Sequence, residues 1–452
     1  MHDLTSYPLL VGAVSKSGID SGDTAWMLIA TALVLMMTPA LGLFYAGLVR
    51  AKNALNTFMM SLGAMAVASI TWVVVGYSLA FGKGNGFIGD LHFAFLRHVT
   101  NGPQAGLHIP QLVYIAFEAS FCIITAALIS GAVVERMRFG AFLAFVPLWA
   151  CLVYAPMAHW VWSSDGWLAT RHVMDFAGGV PVEMASGFSA LAAALVVGAR
   201  KDFGRTALLP HNGVYALLGA SLLWFGWFGF NAGSALTTGG AAPLAFVNTL
   251  LAPAATLSTW MLIDYVRGRK ATAIGAATAI VVGAVGITPA AGFVSPMSAI
   301  LLGALAALPA YTLIVWRPRT RLDETLDVLA AHGLAGFTGI LFIGFFAEAS
   351  WNLTGNGLLF GSPIQLGRQA LAAGAAPAYA FCATFVLLKA MSLVGRIRVH
   401  ESDEGQGLDV SQHGEEAYTH GEGAILFRPL EHPVEPEPAE DEDVEYGVPT
   451  AV

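Results

Sequence analysis

Asp175-Phe176-Ala177-Gly178-Gly179-Val180-Pro181-Val182-Glu183 opens an apolar run that continues to Val197. About 20 consecutive apolar residues are enough for a helix to span a bilayer. Two carboxylates eight residues apart mark this run, and Glu183 lies inside it. A charge-capable side chain at bilayer depth is costly, so it points to a pathway or a binding site.

The rest of the chain supports a membrane reading. Of its 452 residues, 56% are hydrophobic and only 12% charged, with mean hydropathy +0.65. A soluble domain carries roughly 25% charged residues. Apolar runs recur from Thr24 to Gly395. They are continuous, not alternating, which excludes a β-barrel and indicates a polytopic α-helical protein. Fifty glycines suit helices packed closely in lipid. Cys122, Cys151 and Cys382 all fall in expected spans, without metal-ligand spacing or a disulfide framework. No cofactor or metal is expected.

About eleven spans are expected: 24–49, 54–81, 109–134, 140–163, 179–199, 210–235, 243–266, 272–289, 295–316, 332–351 and 370–395. Fifteen Lys and Arg residues follow the odd-numbered spans, from Arg50 and Lys52 to Arg396 and Arg398. Five (Lys16, Lys83, Arg97, Arg171 and Arg368) fall on the other side. The positive-inside rule then places the N-terminus outside and the C-terminus in the cytoplasm. Residues 1–23 hold Asp3, Lys16, Asp20 and Asp23 and lack a basic region before an apolar core, so they read as an external segment and not a signal peptide. The membrane domain is 24–395. Residues 396–452 form a cytoplasmic tail, and its last ~20 residues, acidic and rich in proline, read as disordered.

Ten spans divide into two sets of five, with the eleventh outside them. Because five is odd, the second set is inverted relative to the first, a known transporter architecture. Glu183 lies near the start of the fifth span and His332 at the start of the tenth. A pseudo-twofold axis in the membrane plane brings such a pair together near the centre.

Several strings in fixed order then carry a resemblance. They are Gly42-Leu43-Phe44-Tyr45-Ala46-Gly47-Leu48-Val49-Arg50, Asp175 to Gly179, and Gly229-Phe230-Asn231-Ala232-Gly233-Ser234. Asp327 to Gly333 and the tail string Gly407-Leu408-Asp409 with His413-Gly414-Glu415 and Ala417-Tyr418 complete the set. From about Thr24 to Tyr418 the chain resembles the ammonium transporter family (Amt/Mep/Rh), of Amt type.

The resemblance implies roles for particular residues. Phe117, Trp162 and Ser234 match an external recruitment site that holds ammonium by cation–π contacts and a hydroxyl. Phe121 and Phe230 match a stacked phenyl gate below it. Asp175 matches an anchor of that site, acting on helix N-terminal amides and not on the ion. His332 matches the second of two pore histidines. The first position holds Glu183, a variant also found in fungal members. A neutral imidazole accepts and donates at once, while a buried carboxyl is either an acid or an anion. The expected function is passage of ammonium/ammonia through a narrow apolar pore, with deprotonation and a proton relay by Glu183 and His332. The resemblance also implies a homotrimer in the inner membrane, with a PII-type (GlnK) regulator at the cytoplasmic loops and tail.

The alternative is an ammonium sensor with little flux. An intramembrane enzyme lacks a nucleophile or third metal ligand near Glu183 and His332, so no enzymatic activity is expected. A Rh-type gas channel fits Trp162 and Ser234 poorly. P-loop, dinucleotide and HExxH patterns are missing from the sequence, and its dispersed basic residues give no support to nucleic-acid binding. Glu118, Asp264, Glu348 and Lys389 read as snorkelling or paired groups. Asp323, Glu324 and Asp327 read as structural acids, and Asn352-Leu353-Thr354 as a chance sequon.

Overall fold

Each apolar run becomes helix in the computed structural model, which describes residues 18–418 apart from residue 269. The helices are α1 (Ser21–Leu48), α2 (Ala51–Phe81), α3 (Gln111–Val133), α4 (Phe139–Trp162), α5 (Gly179–Val197) and α6 (Gly213–Gly233). They continue as α7 (Ala241–Val266), α8 (Ala273–Ile287), α9 (Pro296–Arg319), α10 (Leu329–Phe346) and α11 (Pro363–Val394). Ten are long and apolar enough to cross a membrane, and α8 is shorter at 15 residues. The protein is a multi-pass, all-α integral membrane protein. The only sheet among the described residues is a hairpin of Gly84–Asn85 with Ile88–Gly89. Most of the expected external segment and the end of the tail lie outside the described residues.

Local chemistry sets the helix starts. Asp20, Asn212 and Thr272 each accept from a backbone amide three residues on, at 2.8, 3.0 and 3.0 Å. These bonds satisfy donors that a helix N-terminus leaves open. The tenth helix starts at Leu329, three residues before the hydropathy boundary, and ends at Phe346. Polar Asp327 and His332 depress hydropathy there, so His332 lies inside the first turns and not at the start.

Wide π-turns interrupt four of the helices, at Trp72–Gly76, Ala150–Tyr154, Gly179–Met184 and Leu329–Leu334. The last two open α5 and α10, the fifth helices of the two halves. Such turns are uncommon and concentrate at functional sites.

The halves meet through glycines. A Cβ on Gly219 of α6 would sit 2.4 Å from the Phe44 nitrogen of α1. A Cβ on Gly187 of α5 would sit 2.2 Å from the Gly333 nitrogen of α10, and one on Gly336 2.5 Å from Cβ of Glu183. Gly187 follows Glu183 by four residues, and Gly336 follows His332 by four. One helical turn beyond each ionisable residue, a glycine admits the opposite half, as an inverted repeat requires.

The basic loops converge at one end. Arg200 bridges Glu135 (2.5 Å) and Asp323 (2.7 and 2.9 Å), and Arg50 joins Glu135 to Asp202. Arg136, fully buried, donates to Gly198 O, Ala132 O, Asp323 O and Thr325 Oγ1. Two tail helices, Glu401–Gln406 and Leu408–His413, dock on this end. Asp409 accepts from the amides of Leu55 (3.0 Å) and Asn56 (2.7 Å), and Glu404 pairs with Arg398. Gathering these loops and the tail on one side agrees with the alternation of basic residues.

Candidate functional site

An aromatic cluster sits near the opposite end. Phe117 and Phe121 are one turn apart on α3, with ring centroids 4.8 Å apart. Trp162, at the end of α4, meets Phe121 edge-on at 5.9 Å. Phe121 and Phe230 lie at 4.1 Å with 32° between ring planes. Both are 1% exposed. Ser234, one turn beyond Phe230 on α6, is 7% exposed and donates to Phe230 O at 2.8 Å. A cation can exchange hydration for such aromatic faces.

Asp175 stands behind this cluster. Its Oδ1 accepts from Gly178 N (3.0 Å) and Gly179 N (2.7 Å), and its Oδ2 from Val180 N (2.7 Å). Gly178 has φ +115, a conformation that side chains rarely adopt, and a Cβ there would also crowd Trp162. The Asp175 carbonyl accepts from Trp162 Nε1 at 3.4 Å. The geometry fits an anchor that starts α5 and steadies Trp162 through the backbone. Burial pushes the Asp175 carboxyl up to about 6, against the pull of its three amide donors.

Below Phe121 and Phe230, Glu183 Oε2 and His332 Nδ1 meet at 2.8 Å. They are 1% and 3% exposed. They line a void with Met37, Leu41, Leu128 and Phe230, and about 10 Å³ of it admits the centre of a water-sized sphere. That is room for about one water. Glu183 Oε1 has no hydrogen-bond partner. A carboxyl oxygen and an imidazole nitrogen at this distance have the geometry of a hydrogen bond. The π-turns place both side chains: Glu183 lies in Gly179–Met184 and His332 in Leu329–Leu334.

The structure thus groups Phe117, Trp162, Ser234, Phe121 and Phe230 at one level, with Asp175 behind them and Glu183 and His332 below. Two residues near the pair were given no role at the site by the sequence. Trp227 lines the void and donates through Nε1 to Thr288 Oγ1 at 2.9 Å. Tyr45, 1% exposed, donates to Leu128 O at 3.1 Å.

One bland reading, that of Glu118, changes. Glu118 neither snorkels nor pairs: it is 7% exposed, and its Oε2 has no hydrogen-bond partner. Asn352 is fully buried and donates to Phe293 O and Glu348 O, which removes it as a glycosylation acceptor. Glu324 is 1% exposed and accepts from the amides of Val328 and Leu329. Asp264 does pair, accepting from Tyr311 at 2.9 Å.

Known proteins share this architecture. Residues 25–418 match the sequence model of the Ammonium Transporter Family. An ammonium transporter of Bacillus subtilis is 44% identical over 400 residues, covering 88% of this chain and 98% of its own. One from Aquifex aeolicus is 43% identical over 408 residues, covering 89% and 95%. The crystal structure of Candida albicans Mep2 superposes with TM-score 0.81 at 36% identity, covering 85% of this chain and 88% of its own. A sensor Amt protein superposes with TM-score 0.80 at 30% identity, covering 87% and 98%. With a match over residues 25–418 and relatives at 43–44% identity along nearly their whole length, the chain belongs to the ammonium transporter family.

Proposed function

We propose that the protein moves ammonium/ammonia inward across the cytoplasmic membrane by separating the ion into ammonia and a proton. Ammonium is first held outside by the faces of Phe117 and Trp162 and the Ser234 hydroxyl, on a site steadied by Asp175. Rotation of Phe121 and Phe230 admits it. The apolar void below cannot solvate an ion, so its proton passes to the Glu183–His332 pair while ammonia continues. The observation that carries this reading is the 2.8 Å contact between Glu183 Oε2 and His332 Nδ1 in an otherwise apolar void. A carboxyl and an imidazole can pass one proton between them. Two histidines there share a proton through neutral nitrogens instead.

Transport currents in proteoliposomes test the relay. Glu183→Gln keeps the shape but removes the titrating group, and its current is expected to fall by about tenfold or more. Glu183→His is expected to conduct with a different pH profile. Wild-type current and pH profile in Glu183→Gln would rule the relay out. Current decay that depends on the lipid-to-protein ratio marks transport. Decay independent of that ratio favours the sensor reading, for which the sensor Amt protein at TM-score 0.80 is a structural precedent. We further read the protein as a homotrimer whose docked tail, Gly407 to Tyr418, is where a PII-type regulator acts.

A further inference from the structure

The inverted halves repeat more than their helices. In the first half Asp175 caps the π-turn Gly179–Met184, and Glu183 follows Asp175 by eight residues. In the second, Glu324 accepts from Val328 N at 2.9 Å and Leu329 N at 3.2 Å, capping the π-turn Leu329–Leu334. His332 follows Glu324 by eight residues. Each half therefore supplies a buried carboxylate, a π-turn and one member of the central pair. Inversion puts Asp175 on the outer side of that pair and Glu324 on the inner side.

The two carboxylates have different surroundings. Asp175 is held by amides alone. Glu324 stands among charged groups at the basic end of the molecule. Asp327 is its acidic neighbour, and Arg317 Nε pairs with Asp327 Oδ1 at 2.6 Å. Asp323 lies one residue away, tied to Arg200 and, through its carbonyl, to Arg136. Tyr45, one turn beyond the void-lining Leu41 on α1, is a neighbour of both Glu324 and Glu183. Its hydroxyl donates to the carbonyl of Leu128, which itself lines the void. Each Glu324 oxygen accepts one amide, which leaves lone pairs free for a proton.

We infer that Glu324 is the inward proton exit: it takes the proton from the Glu183–His332 pair, on the Tyr45 side, and passes it to cytoplasmic water. This rests on the relay proposed above. An N–H bond of ammonium breaks and the pair holds the proton. The Glu324 carboxylate accepts it and becomes a neutral acid. Its O–H bond then breaks toward inner water, which restores the carboxylate, and no electron transfer is involved. Burial, followed by the charge of Asp327, pushes the Glu324 carboxyl up to about 7. Near neutral inner pH such a group both accepts and releases a proton.

The test uses full-length protein in liposomes, with ammonium-jump currents recorded as internal pH is varied across neutrality. Glu324→Gln keeps a cap acceptor and is expected to lose current by about tenfold or more, together with the internal-pH dependence. Glu324→Asp, which still titrates, is expected to recover part of both. Asp327→Asn leaves the cap untouched and removes the charge that raises Glu324, so the internal-pH midpoint is expected to move down. Wild-type current and internal-pH profile in Glu324→Gln overturn the inference, as does an unmoved midpoint in folded Asp327→Asn. A purely structural Glu324 gives a lower melting temperature without a change in pH profile, which also overturns it. If Glu183→Gln loses current while Glu324→Gln does not, the exit assignment alone fails. If Glu183→Gln also behaves as wild type, the relay fails first.

Discussion

Glu183 gains its character from what surrounds it more than from its own chemistry. A lone carboxylate in lipid is a liability, but here one oxygen meets His332, and the side chain lines a void with room for about one water. Space at this level is rationed by glycine. A Cβ on Gly187 would press on the Gly333 backbone at 2.2 Å, and backbone cannot swing away as a side-chain tip can. Gly187→Ala is therefore expected to push α5 from α10 and lengthen the Glu183–His332 contact. Overpacking of this kind costs about 1–3 kcal/mol. A lower melting temperature together with reduced ammonium current would show it, and unchanged values of both would contradict the close crossing.

Among elements, the start of α5 does most to organise the site. Three amides converge on Asp175 where water is scarce, and each donor left unpaired costs roughly 1–3 kcal/mol. Asp175→Ala is expected to lower the melting temperature sharply and to abolish current, because Trp162 and the first turn of α5 lose their support. Asp175→Asn keeps an acceptor and is expected to be milder in stability. Equal melting curves for wild type and Asp175→Ala would sink the anchor role. The spans themselves were legible in the sequence, since apolar length and basic loops are one-dimensional signals. The cap was legible too, as a carboxylate just before its helix. The π-turns were not, because no residue type marks them. Glu324 was passed over as one loop acid among three: its likeness to Asp175 emerges only when the halves are superposed by inversion. Glu118 illustrates the opposite limit, since its sequence context gave no warning that it would be buried without a partner.

For the molecule as a whole, the inner face is a clamp of charges. Burial pushes Glu135 and Asp323 up, but the guanidiniums of Arg200, Arg50 and Arg136 outweigh it and hold both carboxyls below their ordinary values. Carboxyls depressed in the folded state add stability that is complete above their unfolded values, roughly 4. That stability is lost as pH falls through the lower folded values. Melting temperature is therefore expected to fall on acidification below about pH 4, and less steeply in Glu135→Gln, which starts lower. A parallel fall in the two proteins would exclude Glu135 as a contributor. Removing one partner of a buried pair costs about 3–5 kcal/mol, so Arg200→Ala is expected to weaken the whole inner face and to loosen the tail docked beside it.

Glu183 and His332 stand 149 positions apart in the sequence, which also bears on how the protein is made. A ribosome adding about 5–20 residues per second delivers the second half on the order of ten seconds after the first. During that interval Glu183 has no His332 to pair with, and Gly187 has no Gly333 to cross. Biogenesis thus passes through a half-built molecule that carries the cost of function before it has the means to perform it. The second half supplies the partner that the first half lacks, so Glu183 is paired only once both halves are made.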